Sequence, residues 1–223
     1  MSAAPGRDPR LAAIRGFYAV LDRDDRALAE VLVSPRGAGA RVLQVRLKPA
    51  TTREILAAAR MAREVTRDHG ALLVVNDRVD LAIAVEADAV HLGQTDLPVA
   101  EARALLARAG LPALIGLSTH DLDQVRTACA AGADYLGFGP VSPTRTKQNP
   151  DKVTGIQGLA SACAAAGATP VVAIGGIAVA DGPALRAAGA AAACAISAVN
   201  GAADVAAAGR ALGAPWYVPS DPL

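Results

Sequence analysis

Apolar residues in this chain gather into short runs separated by longer stretches of helical spacing, and the alternation persists along the chain. The short, β-rich runs stand at 17–22, 42–47, 72–76, 89–92, 114–117, 135–138, 171–174 and 193–196. Between them, segments rich in Ala, Leu, Arg and Glu predict helices, among them 52–68, 99–109, 122–131 and 178–188. Thr51 followed by Glu54, and Asp121 followed by Gln124, mark helix starts, where a side-chain oxygen accepts from an otherwise unpaired first-turn N–H. Gly70, Gly110, Gly132, Gly167 and Gly189 mark helix ends.

Eight strand–helix units without a linker or a composition break predict the α/β class. The architecture expected is a single (β/α)8 TIM barrel with its site at the C-terminal ends of the strands. A doubly wound open sheet competes, but no Gly-x-Gly-x-x-Gly turn follows the first strand, and polar residues end most strands instead of clustering at one switch point. The expected bounds are a flexible N-terminal segment at 1–13, a barrel at 14–213 and a C-terminal tail at 214–223.

A barrel brings its strand ends together however far apart they lie in sequence, so those positions define the candidate site. Gln44, Arg46 and Lys48 share one parity and point the same way. The next strands end in Asn76-Asp77, in His91 followed by Gln94 and Asp96, and in Ser118 followed by His120. The loop after 135–138 runs to Thr144-Arg145-Thr146-Lys147, two hydroxyl donors with two cations, which has the chemistry of an anion grip. Gly175-Gly176 and Ile196-Ser197 end the last two strands, where barrels often bind phosphate. The loop from Val141 to Gly155 is long, polar and Pro-containing, as a lid would be.

Composition narrows the partners. With 52% apolar residues among 223, the chain can bury a large core, whereas a net charge of +1 and 3% aromatic residues give nucleic acid little to bind. No apolar stretch has the length of a signal peptide or a membrane span, which leads us to expect a cytoplasmic protein without a membrane partner. Cys129, Cys163 and Cys194 are widely spaced and read as small buried residues. Oligomeric state is not encoded in these patterns.

Asp77 and Asp96 each precede a helical stretch, so the ordinary reading of either alone is a helix cap. Two carboxylates beside Arg46, Lys48 and Lys147 suit a different task, since magnesium takes few protein oxygens when a phosphorylated substrate completes its shell. Gly175-Gly176 as a plain turn, Ser197 as a cap and His120 as a structural residue are the corresponding bland readings.

Six motifs occur together and in order: Gln44-x-Arg46-x-Lys48, Asn76-Asp77-Arg78-Val79-Asp80, His91-Leu92-Gly93-Gln94-x-Asp96, Gly116-x-Ser118-x-His120, Gly137-Phe138-Gly139-Pro140-Val141 with Thr144-x-Thr146-Lys147, and Ile174-Gly175-Gly176-Ile177. In this the chain resembles the thiamine-phosphate synthase family from about residue 17 to 204. The resemblance implies that Gln44, Val45, Arg46, Leu47, Lys48, Asn76, Ser118 and Lys147 hold an aminopyrimidine diphosphate, with Arg46, Lys48, Lys147 and Ser118 acting in catalysis. It implies Mg2+ on Asp77 and Asp96, and a thiazole phosphate on Thr144, Arg145, Thr146, Gly176, Ile196 and Ser197. The implied reaction loses diphosphate first and then joins the two rings into thiamine monophosphate. A thiazole tautomerase using His120, or a regulator that binds phosphate ligands without catalysis, is the alternative.

Overall fold

The computed structural model describes residues 8–143 and 152–217. Its strands are β1 (Gly16–Phe17), β2 (Ala19–Leu21), β3 (Val42–Val45), β4 (Leu72–Asn76), β5 (Ala89–Leu92), β6 (Leu114–Thr119), β7 (Tyr135–Phe138), β8 (Val171–Ala173) and β9 (Ala192–Ala193), all paired in parallel. The pairing order is β1-β9-β8-β7-β6-β5-β4-β3-β2. Because β1 and β2 are two halves of one run split at Tyr18, the ends of that order meet and the sheet closes into a barrel. At the seam β1 pairs with β9 and β2 with β3, while the Tyr18 N–H donates to the Ala193 carbonyl at 2.9 Å.

Helices α1 (Arg26–Val33), α2 (Thr52–His69), α3 (Val79–Ala84), α4 (Val99–Arg108), α5 (Leu122–Ala130), α6 (Gly155–Ala166), α7 (Gly182–Ala187), α8 (Ile196–Asn200) and α9 (Val205–Gly213) complete the units. The two expected helix starts hold: Thr51 and Glu54 satisfy each other's backbone N–H, and Asp121 accepts from Gln124 N at 2.8 Å. Helix α2 buries Ala58, Ala59, Ala62, Val65 and Thr66, a stripe of small residues that brings the helix close to the sheet. No helix among the described residues is long and apolar enough to cross a membrane.

Strand periodicity sorts the apolar side chains into two layers. Leu43, Val45, Leu73, Val75, Val90, Leu92, Ile115, Leu136 and Phe138 pack outward against the helices. Their neighbours Tyr18, Val20, Val42, Val74, Ala89, Leu114, Tyr135, Val172 and Ala192 fill the barrel. Truncating a fully buried outer residue such as Ile115 or Leu73 to Ala would cost about 2–5 kcal/mol.

Three details differ from expectation. The last strand, expected at 193–196, is Ala192–Ala193, and Ile196 already begins α8; a run of alanines carries no alternation and favours helix as readily as strand. The helix expected at 178–188 is a 3-10 turn, Val179–Asp181, followed by α7, with Pro183 in its first turn. The bounds expected at 13 and 214 fall within folded structure. Pro9–Ala13 is a 3-10 turn whose Arg10 reaches the Pro112 and Asp88 carbonyls, and Trp216 is buried with its indole N–H donating to Ala190 O at 2.7 Å.

Candidate active site

The inward parity of the strands continues past their C-terminal ends, so the residues above the inner apolar layer are polar and converge. They enclose a cavity of ≈ 410 Å³. Gln44, Arg46 and Lys48 enter it from the β3 end, Asn76 and Asp77 from β4, Asp96 from beyond β5, and Ser118 from β6. Gly176, Ile196 and Ser197 close the opposite wall. Ten residues expected from the sequence are thus brought to one cavity.

Two of the expected ligands are not. Val45 is buried outward against the helices, and Leu47 packs against the same outer layer, because residues of odd parity on β3 leave the barrel. Thr144, Arg145, Thr146 and Lys147 lie outside the described residues, as does most of the loop expected to act as a lid. Conversely, Tyr18, His91, Tyr135 and Cys194 line the cavity without having been assigned a role. Their inward direction was the available signal.

Neither candidate carboxylate caps a helix. The cap positions of α3 and α4 are Arg78 and Pro98, neither with a side-chain cap bond. Asp77 adopts φ 61°, a left-handed backbone that Asp tolerates better than most residues and that turns the chain sharply after β4. Its carboxylate pairs with Lys48 Nζ at 2.7 Å. Asp96 Oδ2 accepts from Gly93 N at 2.7 Å, which folds the loop after β5 back on itself. Burial raises the pKa of the Asp96 carboxyl, and the Asp77 carboxyl at hydrogen-bonding reach raises it further, against the opposing pull of Gly93 N–H and Lys48. Two hard oxygen donors that repel one another beside Lys48 fit a divalent cation, which would relieve that repulsion. Among the described residues no group of three His, Cys, Asp or Glu is placed to hold a metal, so other ligand oxygens would have to complete the shell.

Below the carboxylates lies a chain of hydroxyls and imidazole. Tyr18 Oη meets Tyr135 Oη at 3.0 Å, Tyr135 Oη meets His91 Nδ1 at 3.2 Å, and His91 Nε2 meets Ser118 Oγ at 2.9 Å. The rings fit only because β6 carries glycine at position 116, where a Cβ would stand 2.2 Å from the Tyr135 ring and 2.5 Å from His91 Nδ1. Burial lowers the His91 pKa to about 4, with Arg46 acting in the same direction and Asp77 against it. Burial likewise pushes the Cys194 thiol up to about 12, which keeps it an inert apolar wall.

Other polar groups frame the mouth. Gln94 Nε2 donates to the Ser118 carbonyl at 2.6 Å, and His120 Nδ1 donates to the Gly139 carbonyl at 2.5 Å. Gln44 Oε1 is buried without a hydrogen-bond partner among the described residues, which leaves an acceptor facing the cavity. Gly176, at φ 68°, packs its Cα so closely against the preceding loop that a Cβ would come within 2.4 Å of the Ser142 carbonyl. That contact holds the turn after β8 against the loop after β7.

The family model described as thiamine monophosphate synthase matches residues 17–199. The chain is 44% identical over 187 residues to the thiamine-phosphate synthase of Moorella thermoacetica, covering 84% of this chain and 87% of that one. It is 42% identical over 212 residues to the thiamine-phosphate synthase of Chloroflexus aurantiacus, covering 95% and 94%. Among solved structures, a thiamine phosphate pyrophosphorylase from Pyrococcus furiosus superposes with a TM-score of 0.79 at 35% identity, covering 91% of this chain and 95% of that chain.

Proposed function

The chain belongs to the thiamine monophosphate synthase family, and we propose that its cavity couples an aminopyrimidine diphosphate to a thiazole phosphate, giving thiamine monophosphate and pyrophosphate. The enzyme is a transferase that joins a pyrimidine and a thiazole moiety. The observation that carries the site assignment is the pair of carboxylates, Asp77 and Asp96, freed from helix capping and facing the cavity beside Lys48.

In this reading Gln44, Arg46, Lys48, Asn76 and Ser118 hold the pyrimidine substrate. Arg46 and Lys48 provide fixed positive charge where negative charge grows on the departing diphosphate, a preorganised stabilisation that water would have to reorganise to supply. Gln44 Oε1, an acceptor with no partner among the described residues, suits a ring amino group. Gly176, Ile196 and Ser197 seat the thiazole phosphate opposite, so that the ring nitrogen faces the carbon that loses diphosphate. The apolar floor of Val20, Val172, Ile174 and Cys194 keeps water from capturing that carbon first. Asp77 and Asp96 would hold Mg2+, which when bound neutralises diphosphate oxygens and makes the diphosphate a better leaving group. The enzyme acts in the cytoplasm, where charge retains phosphorylated substrates.

A thiazole tautomerase would need neither carboxylate, and both are present. The test is a coupling assay with the two phosphorylated heterocycles, with and without chelator, reading thiamine monophosphate. Product only with divalent metal is expected. Asp96→Ala should cut turnover more than thiazole-phosphate affinity, and unchanged turnover in that variant rejects the metal assignment.

A further inference from the structure

Tyr18, Tyr135 and His91 are buried, and the chain Tyr18–Tyr135–His91–Ser118 crosses the barrel interior to end at the part-buried Ser118 on the cavity. Distances alone do not say which way its hydrogen bonds point. Counting donors does. A neutral imidazole has one N–H, so two tautomers have to be compared, each with the arrangement that uses most donors.

In the first, Ser118 donates to His91 Nε2, His91 Nδ1–H donates to Tyr135, and Tyr135 donates to Tyr18. The Tyr18 hydroxyl hydrogen then has no protein acceptor among the described residues. Tyr18 stands at the floor of the cavity, only 3% exposed and packed with Ile14, Val20, Val42 and Val74, and its hydroxyl meets Tyr135 and no other described residue. In the second, Tyr18 donates to Tyr135, Tyr135 donates to His91 Nδ1, and His91 Nε2–H donates to Ser118 Oγ. Every buried donor is used, and the Ser118 O–H is left to point into the cavity.

We propose that His91 is a positioning residue: fixed as the Nε2–H tautomer by the two tyrosines, it donates to Ser118 Oγ and so orients the Ser118 hydroxyl as a donor toward an acceptor atom of the pyrimidine diphosphate. The substrate half of this inference rests on the function proposed above. The tautomer half stands independently. A hydroxyl that accepts from an N–H is itself a stronger donor, because hydrogen bonds in a chain polarise one another. The glycine at 116 is part of the same device, since any side chain there would displace Tyr135 and His91 and break the chain at its middle.

The deciding experiment is a long-range 1H–15N spectrum of the histidine side chains in the wild-type enzyme. The chain has only three histidines, and the His91 signals are assigned by their loss in His91→Gln. The proton is expected on Nε2; a proton on Nδ1 overturns the proposal. This measurement needs no assay, so its failure leaves the reaction assignment standing, and a failed coupling assay leaves the tautomer standing. Kinetics give the second test. Tyr135→Phe should lower kcat by roughly tenfold, the scale of one well-placed hydrogen bond, without changing KM for the thiazole phosphate. In a Ser118→Ala background the same change should have no further effect on kcat, and a full tenfold loss there would place the action of His91 elsewhere.

Discussion

The two ends of the barrel carry similar charged residues and treat them in opposite ways. At the strand-start end, Asp88 Oδ2 accepts from Leu73 N and from Arg63 Nη1, both at 2.8 Å. Asp134 Oδ2 repeats this two units later, accepting from Ile115 N and from Arg103 Nη2, both at 2.7 Å, while Arg103 also reaches the Ala113 and Gly132 carbonyls. Each arginine sits on a helix and each aspartate stands just before a strand, so the pairs staple neighbouring units together. At the strand-finish end, Asp77 and Asp96 face one another beside the half-exposed Lys48, and Gln44 Oε1 has no partner among the described residues. Charge closed by partners supports the fold; charge left open at a cavity is available to a ligand.

Substitutions at matched positions sharpen that contrast. The largest effect expected is on activity: Asp77→Asn should lower kcat by on the order of 10²-fold, as loss of a charge acting on the leaving group would. Its Tm, measured by calorimetry, should hold or rise slightly, since removing one of two facing carboxylates relieves repulsion. Asp134→Ala should do the reverse. It removes a charged acceptor from Ile115 N–H and from Arg103, costing about 2 kcal/mol of stability, or roughly 4–8 °C in Tm, with kcat near wild type in the cold. A large kcat loss in Asp134→Ala with normal Tm would break the division between the two ends.

Gly116→Ala comes next and affects both readouts, because the added methyl meets Tyr135 and His91 directly. A loss of about 1–3 kcal/mol is expected from overpacking, with kcat falling as Ser118 loses its orientation. The smallest effect is on pH dependence. The His91 pKa is lowered from 6.5 to about 4 in the folded enzyme, so between those values the unfolded chain binds the extra proton. Stability therefore rises with pH across that window and this contribution is complete above it. His91→Gln should show a shallower fall of Tm on acidification, and an identical fall would remove His91 from the account.

Much of the candidate site was legible because strand parity is a local property. Gln44, Arg46 and Lys48 alternate in the sequence, and they enter the cavity together while Val45 and Leu47 turn away. Val45 and Leu47 were included with the contiguous motif, and the pleat turns their side chains toward the helices. The role of Asp77 and Asp96 was ambiguous for a different reason. An aspartate ahead of a helix has the same sequence whether it caps or faces a ligand, and only the backbone turn at φ 61° and the Gly93 contact separate the two. The arginine–aspartate staples were not visible at all, since Arg63 and Asp88, or Arg103 and Asp134, are related only through closure of the fold.

By itself the sequence determined the alternation of strands and helices, the capping box at Thr51 and the inward face of β3, each decided by neighbours within a few residues. Tertiary structure decided which distant side chains meet. Tyr18 and Tyr135 are 117 residues apart in the chain yet 3.0 Å apart at their hydroxyls, and the direction of hydrogen bonding from Tyr18 to Ser118 depends on the burial of both tyrosines and His91 beside it. Local pattern governs backbone conformation because its forces act at short range along the chain. Burial, shared protons and facing charges depend on distance in space, and that distance exists only once the barrel has closed.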